Sequence, residues 1–241
     1  MSSTSVALSG FAGGIVGLLT AWPAYRFSVA WGEPPLAACA TCGSGITTWV
    51  RLKHRCAGCD TASAVHPVWT AIAGATAFAL LAWALPASLL LLACLYVAGL
   101  GLLMSVIDLK VQRLPDPLML TTFVGTAVLL TLHAFSTGTW PEYARGWLGG
   151  VALLLAYLVF ALLPGAPMGL GDVKLAGVLG LVLGYFGWPA VVFGAILPFL
   201  VNGPFAVIAL IRRGRKARSP FGPALLIGWL VAVVLAAYQA S

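Results

Sequence analysis

The feature that most constrains this chain is a succession of apolar runs close to the ~20 residues a helix needs to cross the hydrocarbon of a bilayer. Eight can be drawn, at 6–25, 67–85, 87–107, 117–135, 146–163, 175–186, 189–211 and 221–238. None alternates strictly between apolar and polar residues, so they read as helices and not as barrel strands. Composition agrees, with 61% of residues hydrophobic, 8% charged and a mean hydropathy of +1.02; a soluble domain is about one quarter charged. The expected fold is an all-α polytopic membrane protein, a bundle of about eight transmembrane helices. The sixth run is the shortest and shares the turn Gly187-Trp188-Pro189 with the seventh.

The basic residues orient this bundle. With the N-terminus outside, 12 of the 13 Lys and Arg residues fall on the cytoplasmic side and only Arg145 lies outside, as the positive-inside rule requires. An even number of spans with both termini outside follows. The opening M-S-S-T-S has no basic residue, and no convincing small-residue cleavage site follows it. The first run is therefore expected to be a permanent helix and not a removed signal peptide. The net charge of +7 does not imply nucleic acid. The run R-R-G-R-K-A-R at 212–218 lies between two spans and suits lipid headgroups. Membrane lipid is the expected surrounding partner, and oligomeric state is left open.

The one long polar segment, 26–66, is expected to be a cytoplasmic loop. It carries C-A-T-C at Cys39 and Cys42 and C-A-G-C at Cys56 and Cys59, with thirteen residues between the two pairs. Two such knuckles offer four thiolates to a tetrahedral zinc ion. Disulfides are disfavoured in a reduced compartment. A closed four-Cys site leaves no open position for catalysis, so the metal's expected task is to fold the loop. Gly43 and Gly58 stand where tight turns need small residues, His54 and His66 are spare ligands or plain polar residues, and Cys94 reads as a packing residue inside a span.

Of six acidic residues, Asp108, Asp116 and Asp172 fall at the cytoplasmic ends of spans. Ionisable groups at such positions are costly and are functional candidates. Two carboxylates brought together would share a proton, one serving as general base on water while the other polarises a carbonyl. The competing reading is helix capping. Asp172 after Gly171 fits an N-cap, and Asp116 before Pro117 fits one with proline at the first helical position. Residue types and spacing leave both readings open.

The stretch G-L-G-D-V-K at 169–174 resembles the GxGD motif of the bacterial prepilin peptidases, or type IV leader peptidases. The paired CxxC loop, I-D-L-K-V-Q-R-L-P-D at 107–116 and P-F-G-P-A-L at 220–225 resemble the same family in the same order. The resemblance spans essentially the whole chain. It implies a membrane aspartic endopeptidase that cuts the leader of type IV prepilins and pseudopilins after a glycine at the cytoplasmic face of the inner membrane. It also implies methylation of the new N-terminal residue with S-adenosylmethionine. Carried over by position, the catalytic pair is Asp108 and Asp172, supported by Gly169, Gly171, Lys174, Asp116 and Pro115. The four cysteines match the family's zinc loop, although Ala40 stands where members usually carry proline. No residue suggests the methyl-donor site.

The implied organisation is a first helix at 1–25, a zinc loop associated with methyl transfer at 26–66, and a peptidase core at 67–241. Gly169 and Gly171 are expected to admit a substrate backbone beside Asp172 or to allow a positive φ. Lys110 and Lys174 read first as interfacial anchors. A small proton-coupled transporter using Asp108 and Asp172 as a relay is the alternative, although no internal repeat supports it. A non-enzymatic zinc-loop assembly factor would need neither aspartate.

Overall fold

Backbone groups inside hydrocarbon must find partners within their own segment, which makes helices the natural outcome for long apolar runs. The computed structural model describes residues 3–30, 32–49, 55–60, 65–163, 168–213 and 220–240. Among them are eight helices: α1 (Ser3–Phe27), α2 (Pro67–Ala84), α3 (Leu89–Val111), α4 (Asp116–Thr137), α5 (Trp140–Leu162), α6 (Leu170–Phe186), α7 (Trp188–Arg213) and α8 (Gly222–Ala240). Seven are long and apolar enough to cross a membrane, α6 being the exception. Large apolar side chains such as Phe11, Phe135, Leu148 and Leu200 are exposed on the outside of the bundle, where a soluble protein would place polar groups. The chain is a multi-pass membrane protein.

Local chemistry sets the ends. Pro67 opens α2, where its missing N–H costs nothing, and the preceding His66 accepts the Val68 N–H through its side chain. Ser88 caps α3 by accepting from Leu91, and Gln112 ends it in the left-handed conformation with its N–H on Asp108 O. Gly138, also left-handed, closes α4.

Several helices start earlier or end later than the apolar runs. α3 continues past 107, so Asp108 and Lys110 belong to its last turn. α5 starts six residues before 146, which moves Glu142 and Arg145 out of the expected outer loop and into the helix. Arg145 can enter because its guanidinium donates to Gly184 O at 2.8 Å and Tyr185 O at 2.9 Å, capping the carbonyl end of α6. α6 begins at Leu170 and not at 175. It is short but buried on nearly every side, so protein surrounds it where lipid would otherwise demand a full span.

Small residues bring the helices together. In lipid, close backbone approach does much of the work that apolar burial does in water. Gly146, Gly149 and Gly150 of α5 face Gly177, Gly180 and Gly184 of α6, and a Cβ on Gly180 would lie 2.6 Å from Gly149 O. Gly13 and Gly17 of α1 meet Gly74 and Thr70 of α2 in the same way. The C-terminal ends of α1 and α3 and the N-terminal ends of α4, α6 and α8 gather at one end of the bundle, joined by contacts described below. Arg51, Lys53, His54, Arg215, Lys216 and Arg218 lie outside the described residues.

Candidate active site and metal centre

Asp108 sits in the last turn of α3, only 4% exposed. Its Oδ2 accepts the Gly222 N–H at 2.8 Å, and the Phe221 N–H also bonds the carboxylate. Both donors belong to the start of α8, where the first N–H groups of a helix lack intrahelical partners and the helix dipole favours negative charge. The motif P-F-G-P thus has a physical role that its position alone did not reveal. The glycine is required for proximity: a Cβ on Gly222 would lie 3.0 Å from Asp108 Oδ2 and 3.3 Å from its Cβ and Cγ.

Asp172 is the third residue of α6 and 8% exposed. It is not the N-cap; Gly169 holds that position, and Asp172 reaches back to accept the Gly169 N–H on Oδ2 at 3.2 Å. This is the carboxylate half of a capping box. It occupies one oxygen only. Oδ1 is buried and has no hydrogen-bond partner among the described residues. Asp172 feels the charge of Asp108, and Tyr157 of α5 feels that of Asp172. The fold therefore brings the two aspartates into electrostatic reach at the same end of the bundle. Tyr157, 1% exposed with its hydroxyl on Ala195 O at 3.1 Å, is a neighbour the sequence reading missed. A lone tyrosine amid the aliphatic run of α5 was its only signal.

The flanking motif residues take definite places. Neither Gly169, at φ −87°, nor Gly171 adopts a positive φ. The side of Gly171 on which a Cβ would stand faces Leu114, whose Cβ would lie 3.0 Å away, so the missing side chain lets these two segments pack closely. Asp116 is the first residue of α4, after the N-cap Pro115, and is not itself the cap. Its Oδ1 pairs with Lys174 Nζ at 2.5 Å, which fastens the start of α4 to α6 in an exposed position. Lys110 lies over the Tyr25 ring, 4.9 Å from its centroid.

The four cysteines form the second cluster. Their sulfurs all lie within 4.8 Å of one another. Cys39 and Cys59 are 3.7 Å apart and Cys42 and Cys56 3.6 Å, near the tetrahedron edge of about 3.8 Å that Zn–S bonds of about 2.3 Å produce. These separations are far beyond a disulfide bond. The two knuckles repeat one turn. Gly43 N–H donates to Cys39 O and Asp60 N–H to Cys56 O, and Gly43 (φ 71°) and Asp60 (φ 55°) both take the left-handed conformation. Gly58 has a different reason to be small, since a Cβ there would press on Cys42 Sγ at 3.2 Å.

Backbone N–H groups of Cys42 and Thr41, helped by the Tyr25 hydroxyl, favour the Cys39 thiolate and bring its pKa down to about 5. The Ser44 hydroxyl, followed by the Gly58 N–H, lowers that of Cys56. Thiolates are what a metal needs, so the donor set fits a structural zinc ion.

Side chains from the bundle hold this loop in place. Arg26 is buried and donates to Leu36 O and Thr48 O while covering the Trp49 ring at 3.6 Å. Trp22 Nε1 reaches Thr48 O at 3.1 Å, and Arg113 donates to Val29 O and Ala30 O. Tyr25 accepts the Ala40 N–H and donates to Cys39 Sγ. With Lys110 over its ring, Tyr25 touches both the metal loop and the helix that carries Asp108.

Comparison with known proteins places this arrangement. The type IV leader peptidase family model matches residues 94–207. The chain is 30% identical to the prepilin leader peptidase/N-methyltransferase of Aeromonas salmonicida (strain A449) over 208 residues, covering 81% of this chain and 70% of that protein. The protein of the same name from Neisseria gonorrhoeae is 30% identical over 82% of this chain and 70% of its own length. That from Aeromonas hydrophila is 32% identical over 81% and 70%. No solved structure matches. The chain belongs to the type IV leader peptidase family.

Proposed function

We propose that this protein is a membrane aspartic endopeptidase that removes the leader of type IV prepilins or pseudopilins after a glycine, and that it N-methylates the residue thereby exposed. The observation that carries the proteolytic reading is the pair of buried carboxylates on separate helices. Each has one oxygen oriented by backbone N–H groups, and Asp172 Oδ1 is free of any described partner. Two carboxyl groups held close in a low dielectric cannot both be ionised. The ionised member takes a proton from water, while the protonated member hydrogen-bonds the scissile carbonyl and stabilises the developing oxyanion. The hydrated carbonyl then collapses, the C–N bond breaks and the leaving amine takes the proton.

The positive-inside argument supports a cytoplasmic placement of the aspartates and the cysteine loop, in the bacterial inner membrane with both termini outside. In this reading 26–66 is the zinc loop and 67–241 the peptidase core. Cys39, Cys42, Cys56 and Cys59 would hold zinc in a closed shell that fixes the loop. S-adenosylmethionine is the proposed methyl donor. Two large cavities among the described residues do not fit it. One lies among α2, α3 and α8, and the other, of about 790 Å³, lies among α4, α5 and α6; their linings are almost wholly apolar, with only Asp116 and Lys174 charged. Transport by a proton relay gains no support from any of these relatives.

The test is incubation of the protein in membranes with a candidate prepilin, with and without methyl donor, followed by mass analysis. Cleavage after glycine, plus about 14 mass units when donor is present, is the expected result. Asp108→Asn and Asp172→Asn should each abolish cleavage while leaving expression intact. Full cleavage by both variants would sink the assignment.

A further inference from the structure

We propose that a peptide substrate reaches Asp108 and Asp172 sideways from the membrane, through the seam between α5 and α7, its apolar segment parting the Phe160 and Phe199 rings. The inference rests on the proteolytic reading above. Both aspartates are buried, and neither lines either of the two cavities described above. A peptide bond can meet them only where a seam opens.

The seams around the pair differ in what closes them. α5 and α6 meet through backbone, since a Cβ on Gly180 would lie 2.6 Å from Gly149 O. α7 and α8 meet in the same way, with a Cβ on Gly228 falling 2.7 Å from the Pro198 ring. Contacts of this kind loosen only when whole helices move. The backbones of α5 and α7 hardly approach each other. Side chains bridge them: Tyr157 donates to Ala195 O at 3.1 Å, and the Phe199 ring lies 5.5 Å from that of Tyr157 and 5.3 Å from that of Phe160. Side chains change rotamer far faster than helices shift, and lipid chains replace whatever contact a ring gives up.

The same rings lead inward to both carboxylates. Phe199 lies 5.2 Å from Phe221, whose N–H bonds Asp108, and Tyr157 lies within the field of Asp172. At the outer end Phe160 is 46% exposed and Phe199 36%. At the inner end Phe221 and Tyr157 are buried. A row of rings thus runs from the lipid-facing side of the bundle to the aspartates.

The helix that carries Phe199 is able to yield beside it. Pro198 has no N–H to give Gly194 O, and its ring crowds the preceding turn. Ala195 O, in that turn, accepts the Tyr157 hydroxyl. Gly228 anchors α7 at Pro198. Beyond that point α7 runs on to Arg213, about 22 Å further, and none of its described side chains there is buried. Leu200, Phe205, Val207 and Ile208 are exposed. This unpartnered apolar stretch adjoins a row of rings that ends at two carboxylates, so the occupant it suits is the apolar segment of a substrate.

The test uses the full chain in membranes, carrying Asp172→Asn so that a prepilin cleaved by the parent stays bound. A photoreactive benzophenone amino acid replaces Phe160 or Phe199, or, as controls, Trp69 or Leu120, which are exposed in the linings of the two cavities. Irradiation should join the prepilin to positions 160 and 199 and not to 69 and 120. In a chain with both aspartates, Phe160→Cys and Phe199→Cys bridged by a short reducible bis-thiol reagent should lower kcat/KM about tenfold or more, as a locked lid does. Reductant should restore it, and the parent given the same reagent controls for the other cysteines. If the double variant does not fold, the adducts decide. With a parent that cuts, absence of adducts at 160 and 199 overturns the inference alone, as does a bridged pair that cuts at the unbridged rate. A parent that cuts no prepilin overturns the proteolytic reading and this inference with it.

Discussion

The hydrogen bond from Gly222 to Asp108 is where the proposed chemistry can be tested with the least chemical change. Replacing Gly222 by alanine keeps the N–H but adds a methyl group 3.0 Å from Asp108 Oδ2 and 3.3 Å from its Cβ and Cγ. Those contacts are closer than carbon normally tolerates, so the carboxylate must shift by a few tenths of an ångström or α8 must move back. Either way the 2.8 Å bond lengthens and the oxygens lose their alignment. A hydrogen bond to a charged group is worth about 1.5–3 kcal/mol. Its complete loss corresponds to about 10- to 150-fold in rate, and the lower end suits a bond weakened and not deleted. The assay is single-turnover cleavage of a prepilin in membranes, with the unfolding temperature of purified protein as control. The expected result is a kcat about tenfold lower with KM within about threefold, because the carboxylate and not the substrate seat is displaced. A stably folded Gly222→Ala protein that cuts at the parent rate would refute the reasoning, since the Asp108 position would then not matter.

Three further outcomes follow from the geometry. Purified protein should carry about one zinc ion per chain, lost in a Cys39→Ser, Cys56→Ser double variant; stoichiometric metal in that variant would exclude the assignment. In metal-free protein the Cys39 pKa of about 5 lies below that of an ordinary thiol, so the thiolate is present at neutral pH and is lost only as pH falls through about 5. The ultraviolet absorbance of a thiolate should accordingly persist in mildly acidic metal-free protein and be reduced in a Cys39→Ser variant. In the seam between α5 and α6, Gly180→Val should cost on the order of 1–3 kcal/mol or prevent folding, measured by unfolding in detergent; parent stability would mean that the two helices do not meet through Gly149 and Gly180.

The sequence made the helices legible because the apolar runs match the bilayer, and it made the cysteine cluster legible because ligand spacing is local. The ends of helices were harder. The Asp108 turn and residues 140–145 carry charges and polar groups that look like loop in isolation. They are helical because distant partners neutralise them: Arg145 on the end of α6, and Asp108 on N–H groups 113 and 114 residues away. For the same reason Asp172 reads as an N-cap when only its neighbours are considered. Its true place as third residue depends on α6 starting within G-L-G-D, where glycines give no helical signal. Nothing local distinguishes Phe199 from any phenylalanine in a span, nor Tyr25 from any interfacial tyrosine.

The tie between α3 and the start of α8 has a consequence for the order of synthesis. Asp108 enters the membrane with the first half of the protein, yet the N–H groups that orient it arrive more than a hundred residues later. At bacterial and eukaryotic elongation rates that interval is on the order of ten seconds. Until α8 is inserted, a growing chain holds an aspartate without its aligning donors, and Asp172 comes no earlier than the sixth helix. If the two aspartates are the hydrolytic pair proposed above, competence is a property of the finished bundle and not of a growing chain.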